Sequence, residues 1–245
     1  MRTLKLVIEY DGRHYRGWQR QKNGLSIQEV LEGKMAVITG EQPKVIGSGR
    51  TDAGVHALGQ VAHVRIASAI PLKSLCNGLN SLLPEDIAIV GIEEVRKDFH
   101  ARIDARSKTY LYRICNRPTR SPLLRCHAWS VYKPLDRQAM AEAAGYLVGT
   151  HDFRSFSTVH TEVKTFVRTI LHLDVEGASG GMIDISVEAD GFLRYMVRTV
   201  VGTLVEVGKG RRQPEGMTAI LQACNRDAAG MTAPAHGLYL KEVQY

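Results

Sequence analysis

Cysteine is scarce in this chain and poorly placed for chemistry. Its 245 residues hold 4 cysteines, Cys76, Cys115, Cys126 and Cys224, with no CxxC spacing among them. That argues against a zinc centre and a disulfide framework, and for a reducing compartment such as the cytoplasm. Cys76 and Cys224 fall on apolar helical faces, as core fillers do. Other signatures are missing too. No HExxH pair or Cys/His cluster offers a metal site. No GxxxxGK[ST] loop and no GxGxxG after a strand offers a nucleotide site. No GxSxG turn offers a nucleophile elbow. No apolar run approaches the length of a membrane span. Met1 to Leu6 enter an alternating pattern without the apolar core of a signal peptide. The expectation is a protein with no metal, no cofactor and no membrane association.

What is present is an ordinary globular composition, 44% apolar and 23% charged, with a formal net charge of +7. A positive excess of that size is compatible with a phosphate-bearing partner.

The hydrophobic pattern gives an element order. Leu4, Leu6, Ile8 and Tyr10 alternate as in a strand. Ser26-Ile27-Gln28-Glu29 reads as a capping box before Ile27, Val30, Leu31, Met35 and Ile38 at helical spacing. Lys44 to Ser48 and then Val61 to Ile66 read as strands on either side of a loop. Pro71 opens a second helix carrying Leu75, Leu79 and Leu83, and Ile87 to Val90 closes the unit. This β-α-β-β-α-β order is the ferredoxin-like pattern. Lys108 to Asn116 begins it again. Asp136 caps a helix with Met140, Ala143 and Ala144, and a hairpin turns at Ser179-Gly180-Gly181. Phe192 to Val207 reads as the longest helix, Pro214 starts an added one, and Leu238 to Tyr245 is the last strand. The predicted fold class is α+β, with two ferredoxin-like halves of antiparallel sheet, residues 1–105 and 106–245. A cleft between the halves is the expected place for a site.

One loop stands out. Gly49-Arg50-Thr51-Asp52-Ala53-Gly54-Val55-His56-Ala57 presents a carboxylate two residues from an arginine, between two strands. Three other stretches have chemical content. Gly12 to Gly24 interleaves Arg13, Arg16, Arg20 and Lys22 with Tyr15 and Trp18, a mixture suited to phosphates and bases. Tyr110 and Tyr112 share one face of a strand, from which a tyrosine can stack on an extruded base. Arg194 and Arg198 stand four apart, hence on one helical face, with the basic Gly208 to Arg212 beyond. His56 reads as structural or an RNA contact, and His151-Asp152 as a weak dyad.

Five groups of segments resemble the tRNA pseudouridine synthase A family, in order along the chain. They are Glu9 to Gly12 with Gly17 to Gln21; Gly49 to Ala57; Phe99 to Arg102 with Tyr110; His151 to Phe153 with Ser155-Phe156; and Met196 to Arg198 with Ala233 to Ala235 and Gly237 to Leu240. The resemblance implies an enzyme that isomerises uridine to pseudouridine in the anticodon stem-loop of tRNA. It further implies no cofactor and a homodimer. By it Asp52 is the catalytic aspartate, Tyr110 lies against the target base, and Arg50 and Arg198 stand around the aspartate. Arg16, Arg20, Lys22 and Arg194 are candidate RNA contacts. The chain departs from the family pattern at Thr158 to Phe166 and at Gly191. Attack of Asp52 on C1′ or on C6, and removal of the 2′ proton, stay open, as does an RNA-binding protein without catalysis.

Overall fold

Strict alternation builds the first strand, β1 (Arg2–Tyr10), whose Leu4, Leu6, Ile8 and Tyr10 are buried. The computed structural model describes residues 1–158 and 163–245. The chain divides into two units, Met1–Arg106 with Tyr239–Tyr245, and Ser107–Leu238.

In the first unit α1 (Ile27–Thr39) starts at Ser26, whose hydroxyl accepts the Glu29 N–H at 3.3 Å. It buries Ile27, Leu31 and Met35, one residue per turn. Strands β2 (Ile46–Gly47) and β3 (His56–Ile66) follow, then α2 (Leu72–Leu82) and β4 (Ile87–Val95). The helix α2 buries Leu75 and Leu79 and packs on β4. The sheet runs β4-β1-β3 with β2 beyond, all pairs antiparallel. That is the strand order a βαββαβ unit gives when both helices lie to one side. The register of β1 on β3 shifts between Ile8 and Tyr10, so the sheet bends beneath the loop that holds Asp52.

The second unit contains β5 (Ser107–Asn116), β6 (Trp129–Val131), α3 (Arg137–Gly145), β7 (Gly149–Asp152), β8 (Val167–Ala178), β9 (Met182–Ala189), α4 (Met196–Gly208) and α5 (Gly216–Ala223). Its sheet runs β6-β5-β9-β8-β7, antiparallel except for β6 on β5. The expected hairpin turns at Ser179–Gly181 between β8 and β9. Asp136 caps α3 by accepting the Ala139 N–H at 3.0 Å, and α3 packs on α4 and β8. The fold class is the α+β, mainly antiparallel one expected.

Several local expectations need correction. The final strand joins the first unit, where Tyr239 and Leu240 pair in parallel with His56 and Ala57 of β3. Element order alone assigned it to the second half. The helix α4 begins at Met196, because Tyr195 turns left-handed at φ 64°. It is 13 residues long, as is α1, so the two share the greatest helix length among the described residues. Phe192 and Leu193 prolong the apolar pattern without being helical. Cys76 and Cys224 are only half-buried, and the buried cysteine is Cys115. No helix among the described residues is long and apolar enough to cross a membrane.

The central strand β3 buries polar residues that need partners. His63 is 2% exposed, and its Nδ1 accepts the Ala101 N–H at 3.1 Å. Its ring meets Phe99 edge-on and lies 4.7 Å from that of His100. Burial, then the charges of His100 and Arg65, lower His63 to about 4 against the opposing pull of Asp104. An unfolded histidine takes its proton near pH 6.5. Between about pH 6.5 and 4 the unfolded chain therefore binds more protons, and stability falls on acidification through that window. Urea midpoints of wild type should drop from pH 7 to pH 4.5 by more than those of His63→Asn. The asparagine oxygen can accept the same N–H without titrating. Equal pH slopes would remove His63 as the cause.

Candidate active site

Asp52 stands on a loop that is held from below by buried polar side chains. The hydroxyls of Tyr10 and Thr51 lie 2.7 Å apart. The Ser48 hydroxyl donates to Gln60 Oε1 at 2.8 Å, and Gln60 Nε2 donates to the Gly49 carbonyl at 3.1 Å. All four of these side chains are buried. Burial pushes the Tyr10 phenol up to about 12, so it stays neutral and available for hydrogen bonding. The loop then turns tightly, the Val55 N–H donating to the Asp52 carbonyl at 3.2 Å. On this frame Asp52 is half-buried and Arg50 is exposed. A satisfied polar network of this kind fixes one loop conformation, since each broken bond would strand a buried group.

The stretch from Asp11 to Gly24 presses against that loop. A Cβ on Gly12 would stand 2.0 Å from the Val55 carbonyl oxygen. One on Gly17, at φ 89°, would stand 2.4 Å from that of Thr51. The Trp18 N–H donates to the same Thr51 carbonyl at 3.1 Å. The Gly12 N–H reaches His56 Nδ1 at 3.2 Å, with Asp11 Oδ1 3.1 Å from that nitrogen. His56 is 1% exposed and stacks on Tyr239 at 4.8 Å, so its place is structural. The aromatic residues of this stretch are structural as well. Trp18 is 2% exposed, and buried Tyr15 donates to Asp86 Oδ1 at 2.5 Å. The expected stacking platform is therefore part of the core. Arg16, Arg20 and Lys22 are exposed. Arg20 faces Glu29 at 3.8 Å and Glu32 at 3.7 Å, which compensates its charge.

The other candidates belong to the second unit. Tyr110, on β5 opposite Val187, is 8% exposed and meets Phe192 edge-on at 5.0 Å. Tyr112 is fully buried and donates to the Pro234 carbonyl at 2.8 Å, a structural role. Burial pushes its phenol far up, Arg198 opposing. Arg198, in the first turn of α4, donates through Nε to the Ala233 carbonyl at 2.7 Å, and the Ala233 N–H returns a bond to the Arg198 carbonyl at 3.0 Å. Arg194 precedes the helix, so the two arginines do not share a helical face. They meet instead on Tyr195, each guanidinium carbon 5.0 Å from the ring centroid. His151 and Asp152 make no dyad. His151 Nε2 lies 3.1 Å from the Val148 carbonyl oxygen, and Asp152 accepts the Arg154 N–H at 2.9 Å. Of the departing 158–166 stretch, residues 159–162 lie outside the described residues.

Sequence reasoning overlooked Ser48, Thr51, Gln60 and Tyr195. Gln60 carried a weak signal, a polar residue set just before the apolar Val61 and Ala62. Tyr195 carried none, since nothing in its neighbours announces a left-handed backbone.

The chain matches the tRNA pseudouridine synthase family over residues 6–104 and 143–245. Curated relatives match along its whole length. The tRNA pseudouridine synthase A of Myxococcus xanthus is 49% identical over 245 residues, covering 100% of this chain and 92% of its own. The tRNA pseudouridine synthase A 2 of Clostridium tetani is 47% identical over 246 residues, covering 100% and 99%. That of Geotalea uraniireducens is 46% identical over 245 residues, covering 100% of both.

Proposed function

This chain belongs to the tRNA pseudouridine synthase family, and from that premise we propose that it isomerises uridines of the tRNA anticodon stem-loop, with Asp52 as the catalytic residue. The observation that carries the assignment of Asp52 is the loop itself. A half-buried carboxylate is held on buried hydrogen bonds and backed by two glycines at a closeness no side chain allows. Such preorganisation is what a reacting group requires. The reaction breaks the C1′–N1 bond, turns the uracil and joins C5 to C1′. The C5 proton is lost and N1 gains one, so atoms and electrons balance without any co-reactant. One carboxylate suffices, as nucleophile or as base.

Tyr110, Arg50 and Arg198 are the other residues proposed to meet the substrate. The target base leaves its stack at a cost of a few kcal/mol, offset by stacking worth roughly 1–3 kcal/mol on an aromatic face. Arg16, Lys22 and Arg194 are exposed cations suited to phosphate contacts. A homodimer working in the cytoplasm, where tRNA is modified, completes the proposal. Tritium release from tRNA transcripts labelled at uracil C5 tests it. Release with a pseudouridine product supports the reading. Tight tRNA binding without release from any tRNA would leave an RNA-binding protein.

Arg50 has a separate expected effect. Enclosing a carboxylate raises its pKa by up to roughly 3–5 units, and a nearby guanidinium lowers it by roughly 1–3. The task of Arg50 is to keep Asp52 ionised once a base excludes water. Arg50→Ala should reduce kcat by about tenfold or more at pH 7 with a smaller change in tRNA affinity, and part of the loss should return at higher pH. Equal losses of turnover and affinity, indifferent to pH, would contradict this role.

A further inference from the structure

Unfavourable local features converge at the start of α4. Tyr195 sits at φ 64° and ψ 2°, a left-handed conformation that glycine or asparagine adopts readily and a bulky aromatic does not. It occupies the N-cap without a side-chain hydrogen bond to the helix, where serine, threonine or aspartate would ordinarily make one. Arg198 then places a cation in the first turn, the end at which the helix dipole disfavours positive charge. A sequence selected for stability alone would avoid all of these, and strain of this kind gathers where function requires it.

What the arrangement achieves is the placement of one guanidinium. The left-handed turn brings the Tyr195 ring to the Arg198 guanidinium, whose carbon lies 5.0 Å from the ring centroid, inside cation–π range. Arg194 covers the same ring at 5.0 Å, and its Nη2 donates to the phenol oxygen at 3.4 Å. The second hold on Arg198, the Ala233 carbonyl, is itself fixed. A Cβ on Gly202 would stand 1.7 Å from the Met231 carbonyl oxygen, and Thr203 Oγ1 accepts the Gly230 N–H at 3.0 Å. The segment 230–233 therefore lies hard against α4. Hydrogen bonding at Nε fixes where the guanidinium is, and the ring face fixes its tilt.

We propose that Tyr195 is a positioning residue for Arg198, its strained backbone serving to lay an aromatic face against the guanidinium that works beside the reacting uridine. This rests on the reading of Arg198 as a site residue given above. Three variants of the full chain, compared by tritium release and by melting temperature, test it. Tyr195→Gly removes both strain and ring. Its melting temperature should equal or exceed that of wild type, while kcat falls by roughly tenfold or more and the KM for tRNA moves by less than about threefold. Tyr195→Phe keeps the ring face and should recover kcat to within about threefold of wild type. Tyr195→Leu keeps the strain without the π face and should lose kcat as the glycine variant does, without its gain in melting temperature. A merely structural residue would lose stability and activity together. Wild-type kcat in Tyr195→Gly overturns the proposal. So does an equal loss in Tyr195→Phe, which would assign the role to the hydroxyl. Absence of tritium release from wild type itself is a different failure, that of the function reading.

Discussion

Asp52→Asn is expected to abolish tritium release from uracil C5, lowering turnover by at least roughly a thousandfold, while tRNA binding and the melting temperature stay close to wild type. The substitution is nearly isosteric; it removes the charge and basicity and exchanges one acceptor oxygen for an N–H donor. Asparagine keeps the Asp52 backbone and one side-chain oxygen in place. The backbone turn to Val55 runs through its carbonyl, and the buried frame uses Tyr10, Thr51, Ser48 and Gln60. Neutral asparagine can neither attack a carbon as a carboxylate does nor take a proton at neutral pH. Turnover and stability should accordingly separate. A binding titration with unlabelled tRNA, a thermal melt and the release assay on one preparation give all three quantities. Residual turnover within tenfold of wild type would remove Asp52 from the chemistry, whatever the family resemblance implies.

The order of elements was legible because strands and helices here are amphipathic at their own periods. Leu4, Leu6 and Ile8 against Ile27, Leu31 and Met35 is a change of period from two to about four, and both sets are buried. The Asp52 loop was legible as a motif in sequence. Other features depend on tertiary contacts that no window of sequence contains. Strands β6 and β7 span three and four residues, too few for a period to emerge. Trp18, in a run of arginines and glycines, reads either as a base-stacking residue or as one tucked into the core. Its burial follows from the return of the chain to Thr51. The early start assigned to α4 has the same origin. Phe192 and Leu193 continue the apolar spacing, and a left-handed residue that pattern does not register ends it. The last strand was legible as a strand, yet its partner, His56 to Ala57, lies far back along the chain.

Gly17→Ala should cost both stability and turnover, although it leaves every side chain of the proposed site in place. Two penalties combine. At φ 89° an alanine pays for a backbone conformation that L-residues avoid, on the order of 1–2 kcal/mol. Its methyl would also stand 2.4 Å from the Thr51 carbonyl oxygen and 3.1 Å from the carbonyl carbon of Asp52, atoms of a backbone that cannot rotate aside. Relief requires the Asp52 loop to move away from the segment behind it, and that breaks the Trp18 N–H to Thr51 bond. Together these should destabilise by roughly 2–4 kcal/mol, the scale of overpacking plus strain. A shift of the loop by even part of an ångström lowers turnover further, by about tenfold to a hundredfold, since reacting groups tolerate little misplacement. Gly40→Ala isolates the first penalty. It has a positive φ of 71° with nothing within 4 Å of the added methyl, so it should lose stability alone and keep wild-type kcat. Gly12→Ala isolates the second, with no left-handed conformation but a Cβ 2.0 Å from the Val55 carbonyl oxygen. It should lose turnover through the other end of the same loop. Urea midpoints, and kcat measured well below the melting transition, separate the two effects. If Gly17→Ala and Gly12→Ala lose stability yet turn over as wild type does, the glycines serve packing alone and the loop does not depend on them to hold Asp52 in register with its substrate.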